Sequence, residues 1–210
     1  MNFRYVTGQS CNSTSRVYLH EEIHDAALAA IVRKVAEIRV GLPTDRDTEM
    51  GCLSSRAQFD KTLAYIRHGQ EEGARIAHGG KRCADPRLAH GYFVEPTVFA
   101  DVGDDMRIAR EEIFGPVVSI LRWSDEDDLL RRVNALDYGL TASIWTHDLD
   151  RAHRLAARVE AGYVWINDAS THRVGVPFGG YKQSGIGREE SMDELLACTQ
   201  LKNVSVTLRR

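Results

Sequence analysis

Residues 117–167 constrain the fold more than any other stretch of this 210-residue chain. Val117 to Trp123 is a continuous apolar run of the kind buried on both faces of a sheet. Ser124 then caps a helix read over Asp125 to Leu136. Leu140 to Thr146 reads as a strand, Asp148 caps a helix over Leu149 to Glu160, and Tyr163 to Asn167 reads as another strand. Strand–helix–strand–helix–strand with short connections is the signature of a parallel sheet with crossover helices, so two right-handed βαβ units are expected. The fold class is α/β, a mostly parallel twisted sheet with crossover helices.

The flanks extend this pattern. Arg16 to His20 reads as a strand. Glu21 to Arg39 reads as an amphipathic helix, with Ile23, Ala27, Ile31, Val35 and Ile38 at helical spacing and Gly41 and Pro43 ending it. Ser55 to Glu72 is a second helix, with Phe59, Leu63 and Ile66 on one face and Gly73 as its C-terminal stop. Ala74 to Ala77 is a short strand, Phe93 to Phe99 is extended, and Met106 to Ala109 is a short apolar patch. Beyond the polar loop Asp168 to Val176, Pro177 to Gly187 is rich in glycine and Glu189 to Ala197 reads as a short helix. Leu201 to Leu208 alternates, Val204 and Val206 against Ser205 and Thr207, as an edge strand that pairs with a partner chain would.

Charge and cysteine usage exclude several classes. The formal net charge is −3 and no basic block is present, which argues against a nucleic-acid partner. No run of eighteen apolar residues supports a transmembrane helix, and no basic region followed by an apolar run opens the chain, so neither membrane nor secretion is expected. Cys11, Cys52, Cys83 and Cys198 are scattered without a C-x-x-C pair. That pattern argues against a metal site or a disulfide framework and for a reducing, cytoplasmic setting. Cys11 stands in a short polar run, Gln9 to Ser15, just before the apolar Val17-Tyr18-Leu19. A cysteine at a polar turn near backbone N–H groups can act as a thiolate nucleophile, and a buried cysteine among apolar neighbours is inert.

Four stretches then follow in order. Gly8-Gln9-Ser10-Cys11, with Arg16 five residues beyond the cysteine, is the first. Glu111-Glu112-Ile113-Phe114-Gly115-Pro116 is the second. The third is Asn167 followed, after a nine-residue loop, by Pro177-Phe178-Gly179-Gly180, and the fourth is Ser184-Gly185-Ile186-Gly187-Arg188-Glu189. Together they resemble the C-terminal half of an NAD(P)-dependent aldehyde dehydrogenase. The runs Gly139-Leu140-Thr141-Ala142 and Ala161 to Asn167 look like the same family, and the resemblance covers essentially the whole chain. The spelling from Val176 to Gly185 is similar to the betaine-aldehyde group.

The resemblance implies a fold, a chemistry and a set of roles. Residues 1–187 would be the aldehyde dehydrogenase catalytic domain and 188–210 a C-terminal helix and oligomerisation strand that builds a homo-oligomer. An aldehyde would be oxidised to a carboxylic acid with NAD or NADP through a thiohemiacetal and a thioester on Cys11. The Cys11 N–H would be one donor to the developing oxyanion. Glu112 matches the carboxylate that accepts from the nicotinamide ribose hydroxyls, and Phe114 the aromatic beside the nicotinamide. Each by itself also reads blandly, as a solvated acid beside a turn and as core packing. Gln58 and Lys61 stand where some relatives reach the same ribose; a solvated helix face is the competing reading. Phe178 looks like the aromatic wall of the aldehyde path, and Ser170 and His172 lie in the loop that shapes substrate choice. The charges of that loop, His172 and Arg173, also read as simply solvated. Glu189 matches a proton-relaying carboxylate in some relatives, and reads better as an acid at a helix N-terminus.

A full-length relative carries a Rossmann-type cofactor domain before the cysteine, and residues 1–10 have no room for it. The expectation is therefore a catalytic half without the phosphate and adenine ends of the cofactor site, with no appreciable turnover by itself. A non-catalytic remnant that survives as an oligomerisation module is the alternative.

Overall fold

The apolar run Val117–Trp123 is a strand at the centre of the larger sheet. A computed structural model describes residues 2–208 of the chain. Their contacts divide into two units, Met1–Leu136 and Asp137–Arg210, a boundary that falls inside the 1–187 span. Residues 209 and 210, the end of the expected 188–210 segment, lie outside the described residues.

In the first unit, β1 (Arg16–His20), β2 (Arg75–His78), β3 (Thr97–Ala100) and β4 (Val117–Trp123) form one sheet in the order β1-β4-β3-β2. β4 is parallel to both neighbours, with Val17 opposite Ile120 and Val98 opposite Val118; β2 is antiparallel to β3. Side chains alternate between the two faces of a strand. On β3 and β4, Phe99, Val117 and Leu121 join one buried cluster, while Val98, Ala100, Val118 and Ile120 join another. The first cluster is covered by α2 (Arg56–Glu71) and α3 (Arg107–Arg110), through Phe59, Ile66 and Ile108; the second by α1 (His24–Ala36), through Leu28 and Val35. Both faces of the sheet are covered, which is why the run 117–121 is apolar at nearly every position. Its one polar residue, Ser119, is buried and donates to the Ile108 carbonyl at 3.1 Å.

The element ends differ from expectation for local reasons. α1 begins at His24 rather than Glu21, because the Glu21 N–H still bonds the Trp123 carbonyl at 2.8 Å and continues the β1–β4 ladder. Ser55 caps α2 by accepting from the Gln58 N–H, and Gly73 follows its end at φ +99°. The helix after β4, α4 (Glu126–Val133), is capped by Asp125 and not by Ser124: the Asp125 carboxylate accepts from the Asp128 N–H at 2.7 Å.

In the second unit, β5 (Tyr138–Gly139) pairs antiparallel with β8 (Tyr181–Lys182). β6 (Thr141–Ile144), α5 (Leu149–Arg158) and β7 (Tyr163–Ile166) make a βαβ unit, with Thr141 opposite Tyr163 and Asp148 capping α5 through the Arg151 N–H. Among the described residues, only this one of the two expected βαβ units forms. β4 takes β1 and β3 as its partners, and strand period and length carry no information about which strand lies beside which. The helix expected over Glu189–Ala197 is shorter, α6 (Met192–Ala197), because Glu189 is held in an antiparallel bridge with Phe178. Residues 201–208 form no strand within their own chain, and Leu201, Val204, Val206 and Leu208 are exposed; the pairing expected of them is with a partner chain. No helix among the described residues is long and apolar enough to cross a membrane.

Candidate active site

Cys11 is placed by the chain entering β1. Thr7 and Gly8 take positive φ, 57° and +72°, and turn the backbone just before Gln9. The Ser13 N–H bonds the Ser10 carbonyl at 3.0 Å, closing a turn with Cys11 and Asn12 at its centre. Ser10 Oγ donates to Asn12 Oδ1 at 2.6 Å, and Asn12 is buried while Cys11 is exposed. Gln9 Oε1 accepts from both the N–H and the hydroxyl of Ser54, at 3.0 and 2.8 Å, and pins the other side of the turn.

Glu112 and Phe114 are placed by the chain entering β4. β1 and β4 are adjacent and parallel, so the segments leading into them arrive side by side although a hundred residues separate them. A pocket of about 50 Å³ is lined by Cys11, Ser13, Glu112, Phe114 and Gly115 among others. Three of the residues singled out from the sequence, Cys11, Glu112 and Phe114, therefore share one concavity. Phe114 stands at φ 58°, a left-handed conformation that non-glycine residues adopt at a cost.

Gln58 and Lys61 reach the same loop through its carbonyls. Gln58 Nε2 donates to Ile113 O and to Phe114 O, each at 2.8 Å, and Lys61 Nζ donates to Glu112 O at 2.8 Å. The preceding acid is also engaged. Tyr65 Oη donates to Glu111 Oε2 at 2.6 Å, and the Arg107 guanidinium bonds both Glu111 oxygens at 3.2 and 3.1 Å. Arg107 and then Tyr65 hold the Glu111 carboxyl below the usual carboxylate range, while burial, followed by Glu111, raises the Tyr65 phenol. Thr62, Tyr65 and Arg107 were not singled out from the sequence, and Glu111 was named only as the first residue of the run 111–116. The available signal was helical spacing: Thr62 and Tyr65 lie four and seven residues beyond Gln58, on the same face of α2.

Phe178, Ser170 and His172 belong to the second unit. Phe178 is buried, and its ring lies 4.5 Å from that of His172 and 5.7 Å from that of Tyr163 between centroids. His172 Nδ1 lies 2.7 Å from Glu190 Oε1, and Ser170 takes φ 62°. Phe178 and Glu189 exchange backbone hydrogen bonds at 3.0 and 2.7 Å, so Glu189 is a bridge residue and not the first acid of a helix. Among the described residues no group of three or more His, Cys, Asp or Glu could hold a metal ion.

Comparison with known proteins shows the family. The model of the aldehyde dehydrogenase family matches residues 1–204. Aldehyde dehydrogenase tropH of Talaromyces stipitatus is 54% identical over 99% of this chain and 41% of its own length. Betaine aldehyde dehydrogenase of Brucella anthropi is 47% identical over 97% of this chain and 42% of its own. The NAD+ complex of an aldehyde dehydrogenase from Bacillus cereus superimposes with a TM-score of 0.93 at 42% identity, over 99% of this chain and 42% of that one. The chain belongs to the aldehyde dehydrogenase family. It spans 41 to 42% of the length of the curated relatives it matches.

Proposed function

We propose that this chain carries the nucleophile and the nicotinamide end of the cofactor site of an enzyme that oxidises an aldehyde to a carboxylic acid. The observation that supports the reading most is the pocket in which Cys11, Glu112 and Phe114 meet. A thiolate at Cys11 attacks the aldehyde carbon and forms a thiohemiacetal, with its own N–H as a donor to the developing oxyanion. NAD, when bound, would supply the hydride acceptor; Cys11 would then hold the acyl group as a thioester, and hydrolysis by water would release the acid and the thiol. The residues present fit the nicotinamide end: Glu112 offers two acceptor oxygens to paired hydroxyls, and Phe114 an aromatic face beside the ring. Phe178, Ser170 and His172 take part in aldehyde recognition. The spelling from Val176 to Gly185, with the 47% identity to a betaine aldehyde dehydrogenase, makes betaine aldehyde the first substrate to try. Four free cysteines suit a reducing, cytoplasmic setting. Leu201, Val204, Val206 and Leu208, all exposed, build a homo-oligomer with a partner chain.

The remaining cofactor contacts lie outside these 210 residues, so the chain by itself turns over NAD poorly. The test uses the purified chain and its Cys11→Ala variant, with a panel of aldehydes and an activated ester. Ester hydrolysis that is lost in Cys11→Ala, with no NADH production at whole-enzyme rates, is the expected result. Hydrolysis that survives Cys11→Ala overturns the nucleophile, and NADH production at whole-enzyme rates overturns the placing of the other contacts elsewhere.

A further inference from the structure

We propose that Gln58 is a positioning residue: its side-chain amide, with Lys61 beside it, holds the Glu112–Phe114 backbone in shape before any cofactor binds. The proposal rests on the reading of Glu112 and Phe114 as the nicotinamide end of the site. Successive carbonyls of an extended chain point to opposite sides. At φ 58° Phe114 turns its carbonyl toward that of Ile113, so one amide nitrogen reaches both at 2.8 Å. The hydrogen bonds and the left-handed turn support each other, because neither carbonyl pair nor donor would meet without the turn.

The neighbouring residues of α2 extend the grip. Lys61 Nζ takes the Glu112 carbonyl at 2.8 Å, and Tyr65 Oη takes the Glu111 carboxylate at 2.6 Å. Thr62 is fully buried, and a Cβ on Gly115 would come within 2.6 Å of its Oγ1. Residues 58, 61, 62 and 65 repeat at the spacing of one helix face and meet residues 111 to 115. With both amide hydrogens committed to backbone carbonyls, Gln58 keeps only its Oε1, an acceptor, for any hydroxyl nearby.

Hydrogen exchange in the 210-residue chain without NAD tests this directly. The Val117 and Thr97 amides bond the carbonyls of Gly115 and Pro116 at 2.8 Å each, so both report on the loop. Gln58→Met, which keeps length and removes the donors, is expected to raise exchange at Val117 about tenfold, the effect of one to two lost hydrogen bonds. In a Phe114→Gly background, where positive φ is unstrained, the same change shrinks to about twofold. Should Gln58→Met fail to fold, Gln58→Glu replaces it. Its exchange is expected to rise relative to wild type as pH climbs through the carboxylate range, when the donor becomes an anion facing two carbonyls. Unchanged exchange in Gln58→Met, or no such pH dependence in Gln58→Glu, overturns the proposal. Alkylation of Cys11 along an NAD titration carried to the limit of solubility, as a weak half-site requires, in wild type and Glu112→Gln, tests the underlying reading separately. Protection weakened by Glu112→Gln supports it; no protection at that limit, or equal protection in the two proteins, overturns the cofactor reading alone, and the exchange results decide the clamp in either case.

Discussion

Gly8 and Gly115 meet through their backbones: a Cβ on Gly8 would overlap the Gly115 carbonyl oxygen and sit 2.7 Å from its carbonyl carbon. This contact seats the turn that carries Cys11 against the loop that carries Glu112 and Phe114. Only a residue without a side chain permits it, and only at a positive φ of +72°.

Gly8→Ala should therefore carry two penalties. The left-handed backbone costs about 1 kcal/mol, and backbone displacement at the contact adds roughly 1–3 kcal/mol. Gly73→Ala, at φ +99° with nothing within 4 Å, carries the first penalty alone. Thermal or denaturant unfolding of the two variants checks the difference. Equal destabilisation would show that the Gly8–Gly115 contact relaxes freely.

Glu111 makes the site loop acid-sensitive. Its folded-state pKa is depressed, first by Arg107 and then by Tyr65. A depressed carboxyl stabilises the fold above its unfolded pKa of about 4.3, and that stabilisation is lost as pH falls through the folded value. The melting temperature of wild type should thus drop more steeply than that of Glu111→Gln as pH falls below about 4.3. Because the side chain is well exposed, solvent screening keeps the effect small. Parallel curves for the two proteins would remove Glu111 as the titrating group.

Cys83 should behave unlike the exposed thiols. Burial, then Glu95 and Asp85, push its thiol up to about 11. At pH 8 iodoacetamide should leave Cys83 unmodified while it reaches exposed Cys11, Cys52 and Cys198. Peptide mapping across pH checks this, with Cys83 labelling appearing only toward pH 11. Ready modification of Cys83 at pH 8 in the folded chain would contradict the geometry.

Gly69 lies in the middle of α2, where a Cβ would come 3.0 Å from the Phe99 ring and 3.0 Å from Ile108 Cδ1. Gly69→Ala should gain helix propensity and lose more through overpacking, for a net cost of about 1 kcal/mol. Phe99→Ala, in the fully buried centre of β3, should cost roughly 3–5 kcal/mol. The two sites are in contact, so Gly69→Ala should be better tolerated in a Phe99→Leu background. Strict additivity in a denaturation cycle would argue against the close approach.

The strands and helices were largely legible because each has a one-dimensional cause. The apolar run 117–123 is a strand buried on both faces, and Asp148 caps α5 as its position before the helix implies. The caps show where this reading stops: Ser124 and Asp125 are both good N-cap residues, and a backbone angle chooses Asp125. Partnering was not legible. β4 was expected to lie with the strands that follow it and instead lies between β1 and β3.

The candidate site divides the same way. By itself the sequence determined which residue types are on hand: a cysteine in a polar turn, a pair of acids before Ile-Phe-Gly-Pro, and amide and amine donors one turn apart on a helix. Those are local properties, written in neighbouring residues. The tertiary structure decided what they do. The parallel pairing of β1 with β4 brings Cys11 beside Glu112 and Phe114 across a hundred residues. Packing of α2 over the loop turns Gln58 and Lys61 toward backbone carbonyls. Neither outcome is readable from spacing, because contact between distant segments depends on how whole strands and helices pack, and that is settled only when the sheet buries both its faces.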